Sequence, residues 1–192
     1  MTYFKRISAR SAVAGIGAIV SLAIVAAGAG AAGSGGISPN DGGGVSPDES
    51  EPVPIPEGAD GVFPVRGRHT YGDGLGAGRD HQGQDLIAKC GKRVVAVQPG
   101  RVQFREYHGS AGNYVVIDGK GPLVDTVYMH LRESAYVRKR EAVVAGQTIG
   151  RVGSTGNSST CHLHFEMWSA PGWYDGGRPI DPEPHLRAWD KR

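Results

Sequence analysis

The chain has 192 residues, which favours one compact domain with accessory segments over two full domains. Its formal net charge of +2 depends on the N-terminus: without Lys5, Arg6 and Arg10, the basic count falls from 21 to 18, against 19 acidic residues. No basic stripe interleaved with aromatic residues follows, so the composition argues against a nucleic-acid-binding protein.

Residues 1–33 have the pattern of an export segment. A basic stretch ending at Arg10 precedes an apolar run from Ala12 to Gly33, broken only by Ser21. Small residues at 27–31 offer cleavage sites for a signal peptidase, while the run is also about long enough to span a bilayer. A cleaved signal peptide and an uncleaved membrane anchor both remain open. Either one places the rest of the chain outside the cytoplasm, secreted or tethered to the membrane.

Residues 34–60 are rich in Gly, Ser, Pro and acidic residues and contain almost nothing that could form a core. This composition predicts a flexible, partly extended linker. It would let a domain act at a distance from a membrane or from the export machinery.

Residues 61–192 are expected to form the folded domain. Short runs rich in Val, Ile, Tyr and Phe alternate with Gly, Asn, Asp and Pro, which is typical of strands joined by turns. No connection leaves room for a crossover helix, and Ser134–Val144 could hold one helical turn at most. We therefore predict a mainly β, compact antiparallel domain. The predicted strands are Arg93–Val97, Gly100–Glu106, Asn113–Asp118, Thr126–Leu131, Thr148–Val152 and His162–Trp168.

Cys90 and Cys161 are the only cysteines in the chain. Two cysteines in an exported protein favour one disulfide, which would close a loop of about 70 residues. Two unrelated free thiols are the alternative.

The predicted strand His162–Trp168 has an apolar face and a polar face. Alternation directs Leu163 and its apolar neighbours to a core, and directs His162, His164 and Glu166 to the opposite face. Two imidazoles then lie side by side, facing a cleft. Alone, this H-x-H pattern is only moderately specific for a functional site.

The strand Thr126–Leu131 carries a third histidine. Strict alternation predicts that Tyr128 and His130 share the polar face, and that Met129 and Leu131 share the apolar one. A surface histidine without a role is the alternative for His130 taken by itself.

His81 and Asp85 lie four residues apart, with Gly83 between them. The glycine disfavours a helix here, and the neighbours suggest a turn that leads into a strand. A loop can bring both side chains to one ion, and imidazole nitrogen and carboxylate oxygen both suit zinc. A surface salt bridge is the alternative.

Four motifs follow one another along the chain: H-x-G-x-D-x-x-A at 81–88, G-N-Y-V-V-I-D at 112–118, Y-M-H-L at 128–131 and G-x-T-G-N-S-S-T-C-H-L-H-F-E at 153–166. In this order, they make the region 61–184 resemble the lysostaphin-type (LytM-like) peptidoglycan endopeptidases. The resemblance implies a compact antiparallel β domain with a substrate groove across its sheet. It also implies cleavage of peptide bonds in bacterial cell-wall peptides.

The resemblance also assigns roles to residues. His81, Asp85 and His164 would bind one Zn²⁺, and His162 and His130 would be the catalytic histidines beside it. One histidine would accept a proton from water. The other would stabilise the oxyanion or pass the proton on, and their order stays open. Glu166 would orient an imidazole through a hydrogen bond.

The predicted function is an exported zinc endopeptidase acting on peptidoglycan stem or cross-link peptides at the cell wall, as a monomer. Two alternatives belong to other classes. One is a catalytically silent cell-wall-binding or regulatory module of the same fold. The other is an exported structural or metal-storage protein, which would not need His130 and His162 together.

Overall fold

The structure, a computed structural model, describes residues 61–78, 80–119, 125–173 and 175–191. The predicted export segment 1–33 and linker 34–60 lie outside these residues. Within them, no helix is long and apolar enough to cross a bilayer.

The described residues form a mainly β fold in which all strand pairs are antiparallel. The six predicted strands are confirmed, with ends that differ by at most two residues. The strands are β1 (Val65–Arg66), β2 (His69–Tyr71), β3 (Gln84–Ala88), β4 (Arg93–Val95), β5 (Gly100–His108), β6 (Gly112–Gly119), β7 (Asp125–Leu131), β8 (Ala142–Val143), β9 (Thr148–Arg151), β10 (His162–Trp168) and β11 (Pro179–Ile180).

Four of these strands and one helix were not predicted, whereas β3 is the strand that was expected to follow the turn after His81. Strands β1, β2, β8 and β11 are only two or three residues long, too short to show alternation. The helix, α1 (Glu183–Asp190), follows Pro182 and buries Leu186 and Trp189. Only two of its eight residues face the core, so the sequence shows little helical periodicity.

Two sheets enclose the main core. The small sheet has the order β1-β4-β9, and the large sheet has the order β2-β3-β10-β7-β6-β5-β8, with β11 paired to β10. Val94 of the small sheet and Leu163 and Phe165 of the large sheet belong to one buried cluster. A second, smaller cluster on the opposite face of the large sheet includes Met129 and Trp173.

The apolar face predicted for β10 is confirmed, because Leu163, Phe165 and Met167 all lie in the main core. The alternation predicted for β7 is wrong. Tyr128 and Leu131 both belong to the main core, whereas Met129 belongs to the cluster on the opposite face.

The backbone at His130 explains the difference. Its φ of 59° is left-handed, which interrupts the pleat of β7 and moves the following residue to the other side of the sheet. His130 therefore leaves the core face on which alternation from Tyr128 would place it, and Leu131 takes that face instead. Tyr128 points inward, where its hydroxyl accepts a hydrogen bond from the Val97 amide at 2.9 Å.

Cys90 and Cys161 form a disulfide, as predicted, with Cα atoms 5.2 Å apart. Cys90 follows β3, and Cys161 immediately precedes β10. The bridge therefore ties together the ends of two neighbouring strands that both carry candidate site residues.

Candidate metal centre

Strand pairing brings Asp85 and His164 together across 79 residues of sequence. In the register of β3 against β10, these two residues lie directly opposite each other. Directly opposed residues of an antiparallel pair project to the same face, with Cβ atoms about 5 Å apart. The His164 Nδ1 atom accordingly lies 2.9 Å from Asp85 Oδ1.

His81 reaches the same carboxylate from the loop before β3. Its Nε2 atom lies 3.2 Å from Asp85 Oδ1. The loop can approach β10 because residue 83 is glycine: a Cβ there would lie 2.3 Å from the carbonyl oxygen of Phe165. The glycine of the H-x-G-x-D motif thus allows this close passage of the chain.

The three predicted ligands meet in a geometry that a metal ion could use. One ligand atom from each of His81, Asp85 and His164 lies within 4.8 Å of the other two, and all three residues are buried. The second ring nitrogen of His81 is already engaged, since Nδ1–H donates to the Gly74 carbonyl oxygen at 2.8 Å. This bond keeps Nδ1 occupied, so Nε2, directed at Asp85, is the ring nitrogen that a metal ion could use.

Glu166 fixes the orientation of His164. The His164 Nε2–H group donates to Glu166 Oε1 at 3.0 Å, so Nδ1 is the ring nitrogen directed at Asp85. The other carboxylate oxygen, Oε2, accepts a hydrogen bond from Trp168 Nε1–H at 2.7 Å. Trp168 was not predicted, although it continues the alternation of His164 and Glu166 by one further step.

The electrostatics of this cluster favour charged side chains in the metal-free protein. Burial alone lowers the pKa of His164, but hydrogen bonds to Asp85 and Glu166 outweigh it and raise that pKa to about 9. For Asp85, burial acts to raise the pKa. Hydrogen bonds from His164 and His81 outweigh burial and hold the pKa well below its usual range. A metal ion binding to Nδ1 of His164 must therefore displace a proton.

His130 and His162 lie beside this cluster, with ring centroids 4.7 Å apart. Each uses Nδ1–H to donate to a backbone carbonyl of the loop before β10. His130 donates to Thr155 at 2.8 Å, and His162 donates to Thr160 at 3.0 Å. Both rings consequently keep Nε2 as the free acceptor atom.

The Nε2 atom of His162 is buried without a hydrogen-bond partner among the described residues, and it lies 3.6 Å from Asp85 Oδ1. A buried, unsatisfied ring nitrogen directed at the candidate ligands is a group that can accept a proton.

Burial lowers the pKa of His130 to about 4, and its hydrogen bond to Thr155 offsets this only in part. His130 is therefore neutral near pH 7.

Gln84 is a second residue that the sequence did not identify. Its side-chain amide nitrogen lies 3.0 Å from the carbonyl oxygens of Gly72 and Asp73, and 3.1 Å from that of Asp85. These contacts hold the segment that leads to Gly74, the residue whose carbonyl fixes His81. The signal in the sequence was a polar residue two positions before Leu86, on the strand face that Leu86 turns to the core. The structure shows Gln84 buried there.

Comparison with known proteins agrees with this geometry. A profile of peptidase family M23 matches residues 79–182, just over half of the chain. The chain is 38% identical over 87 residues to the peptidoglycan DD-endopeptidase ShyC of Vibrio cholerae; the match covers 45% of this chain and 20% of that protein.

Two solved structures share the fold. The catalytic domain of lysostaphin from Staphylococcus simulans superimposes with a TM-score of 0.56 and 29% identity, over 62% of this chain and 92% of that one. A zinc-containing peptidase from Vibrio cholerae gives a TM-score of 0.55 and 30% identity, over 64% and 39% of the two chains.

The matched part of the chain spans about a fifth of the length of the curated relatives. The range matched by the family profile, residues 79–182, contains every candidate site residue from His81 to Glu166. On the profile match and the shared fold, the chain is a member of peptidase family M23, with a lysostaphin-like catalytic fold.

Proposed function

We propose that this protein is an exported zinc-dependent endopeptidase that hydrolyses peptide bonds in bacterial cell-wall peptidoglycan. The observation that carries the proposal is the cluster of His81, Asp85 and His164, with the unpartnered Nε2 of His162 directed at it. The names of relatives such as ShyC support peptidoglycan as the substrate class.

In this proposal His81 Nε2, Asp85 Oδ1 and His164 Nδ1 hold one Zn²⁺. Two imidazoles and a carboxylate are a donor set that zinc accepts, and three protein ligands leave one position open. When bound, zinc supplies a Lewis acid that polarises a carbonyl and lowers the pKa of water towards about 7. Glu166, held by Trp168, keeps His164 in the required tautomer.

The two catalytic histidines provide the proton transfers. His162 is well placed to accept a proton from water at Nε2, because its Nδ1–H is engaged with Thr160 and its Nε2 faces the ligand cluster. His130, neutral and held by Thr155, offers its own Nε2 for the oxyanion or the leaving amine once that nitrogen is protonated. Because the rings lie 4.7 Å apart, one substrate group can contact both.

Export places this chemistry at the cell wall, with the chain secreted or tethered to the outer face of the membrane by residues 1–33 and acting as a monomer. The other candidate, a silent binding or regulatory module, is disfavoured by the complete set of ligands and catalytic histidines. Such a module would have no use for a buried acceptor on His162, which leaves a polar atom unsatisfied.

Digestion of purified peptidoglycan tests the proposal directly. The full chain is incubated with and without a chelator, then with zinc restored, and new amino termini are identified on defined muropeptides. We expect cleavage that the chelator abolishes and zinc restores. His108→Ala is a matched control that should leave activity unchanged, because the side chain of this exposed histidine bonds to Ser110 of its own hairpin. Cleavage that persists under chelation would reject the zinc mechanism, and no cleavage by the zinc-loaded protein would favour the silent module.

A further inference from the structure

A row of four arginines crosses the outer surface of the small sheet. Arg66 of β1 lies directly opposite Arg93 of β4, and Arg93 lies directly opposite Arg151 of β9. Arg132 extends the row beyond the sheet, because its amide donates to the carbonyl of Arg151 at 2.9 Å. With strands about 4.8 Å apart, three intervals give a row of about 14 Å.

The neighbouring positions show which way these side chains point. Val65, Val94 and Gly150, one residue away in each strand, are paired with one another, and both valines are buried in the main core. Alternation then directs the three arginines outward. Like charges directly opposite each other across strands are destabilising, so this arrangement lowers the folding stability of the domain when nothing is bound to it.

One acidic residue, Glu133, interacts with Arg132 and Arg151 at one end of the row. No ion pair involves Arg66 or Arg93 within the described ranges, and Arg132 contacts the adjacent Glu133 at 3.1 Å. Lys89 and Lys92 add two further positive charges beside Gly91. In sequence, residues 61–192 carry 18 of the 21 basic residues and 13 of the 19 acidic ones, because the other six acids lie at 41–60.

Arg151 is held in place by neutral partners. It donates from Nη1 to the Gly91 carbonyl oxygen at 2.8 Å and from Nε to the Tyr136 hydroxyl at 3.0 Å. These bonds fix the guanidinium through uncharged groups, and the Glu133 carboxylate, which accepts from the Tyr136 hydroxyl at 2.6 Å, offsets part of its charge. Tyr136, 48% exposed, adds an aromatic surface next to it.

We propose that this arginine row binds a linear polyanion that carries repeated phosphodiester groups. Guanidinium groups recognise phosphate oxygens through their planar fork of N–H donors, and Arg suits this contact better than Lys. A line of guanidiniums one residue wide matches a single polymer chain. A lipid surface would be matched by a broad basic face with exposed apolar side chains.

The position of the row suggests that it would anchor the protein, a role separate from the proposed hydrolysis. The Arg132 end of the row lies near the site histidines, because its backbone packs against Gly153, which pairs with His162. A polymer bound along it would hold the protein on a wall that carries such anions, with the metal centre beside the anchored segment. The row contains none of the proposed ligands or catalytic histidines, so this binding does not require activity.

Binding of a short poly(glycerol phosphate) oligomer to the full chain, with chelator present, tests the proposal separately from catalysis. We expect Arg66→Gln combined with Arg93→Gln to weaken binding about tenfold or more at low salt. The slope of log K against log salt should fall by about 1.4, at about 0.7 per lost phosphate contact. A matched control removes two exposed arginines elsewhere, Arg138→Gln with Arg140→Gln, and should change binding less than about twofold.

A charge-preserving variant and two competing ligands separate guanidinium recognition from general charge attraction. Arg66→Lys with Arg93→Lys keeps the charge but removes the guanidinium fork, and should bind with intermediate affinity. Thermal unfolding of both row variants should be no lower than that of the parent, because like-charge repulsion is reduced or unchanged. Equal losses in the row and control variants would overturn the proposal, as would equally tight binding of a charge-matched polyglutamate. Row-dependent binding to anionic phosphatidylglycerol vesicles without polymer binding would replace it with a membrane contact.

Discussion

Two groups of histidines lie side by side but are held in different ways. His81 and His164 direct a ring nitrogen at the Asp85 carboxylate, and His164 has a second carboxylate, Glu166, on its other side. His130 and His162 instead donate to backbone carbonyl oxygens of one loop. The first group is fixed by charge, and the second is fixed by neutral dipoles.

The hydrogen-bond partner of each ring therefore sets its pKa and the chemistry for which it is suited. Flanking carboxylates raise the pKa of His164 to about 9, so it is a cation near pH 7 in the metal-free protein. For His130, burial lowers the pKa to about 4, because the hydrogen bond to the Thr155 carbonyl only partly opposes the effect of burial. A neutral ring with a free Nε2 suits proton transfer, whereas a ring between carboxylates suits metal binding.

Removing one histidine from each group should separate their roles most clearly. His164→Ala should lose zinc and activity together, because a ligand is gone. His162→Ala should keep about one zinc per chain while the rate of hydrolysis falls by about 10²–10⁴-fold. Zinc content and hydrolysis rates measured on both variants, and on His130→Ala, check this. Loss of zinc from His162→Ala alone would reverse the assignment.

Replacing Glu166 with Gln should affect the first group selectively. The amide oxygen can still accept from His164 Nε2, but its charge is lost and its NH₂ group opposes the Trp168 donor. We expect zinc affinity to fall by about 10–100-fold. Competition with a chromophoric chelator measures it. An unchanged affinity would show that the buried carboxylate does not support His164.

Zinc affinity should rise with pH because of the raised pKa of His164. Below about pH 9 the metal-free protein holds a proton on His164, between Asp85 and Glu166, with His81, His130 and His162 nearby. Each zinc bound near pH 7 should release about one proton from His164, and the apparent affinity should rise about tenfold per pH unit until it levels near pH 9. Calorimetry in buffers of different ionisation enthalpy counts this proton. No release would mean that His164 is neutral without metal.

Reduction of the disulfide should have the smallest effect on either group. The bridge joins Cys90 and Cys161, outside the ligand cluster, and the chain-entropy model gives about 4 kcal/mol for a loop of this length. Dithiothreitol should lower the melting temperature while zinc content stays constant. Stoichiometric loss of zinc on reduction would show instead that the bridge holds β3 and β10 in register at the metal centre.

Sequence alternation predicted β10 well and β7 poorly, for a physical reason. The strand β10 is regular across all seven residues, so a period of two places Leu163 on the core and His164 on the opposite face. In β7 the left-handed backbone at His130 breaks the period. The residue type alone does not identify that break, because a positive φ is uncommon in non-glycine residues even though histidine is enriched among them. His130 still reaches the site, although not by the predicted alternation.

The sequence by itself determined the antiparallel β class, six of the strands and which histidines and carboxylate are the candidates. Hydrophobic period and motif order are local properties of the chain, so they can be read from the sequence alone. Tertiary structure alone decided the partners of those side chains. The contacts of Asp85 with His164, of Gln84 with the Gly72–Asp73 backbone, and of His130 with Thr155 each join separate segments. Such contacts depend on strand register and loop path, which no short stretch of sequence encodes.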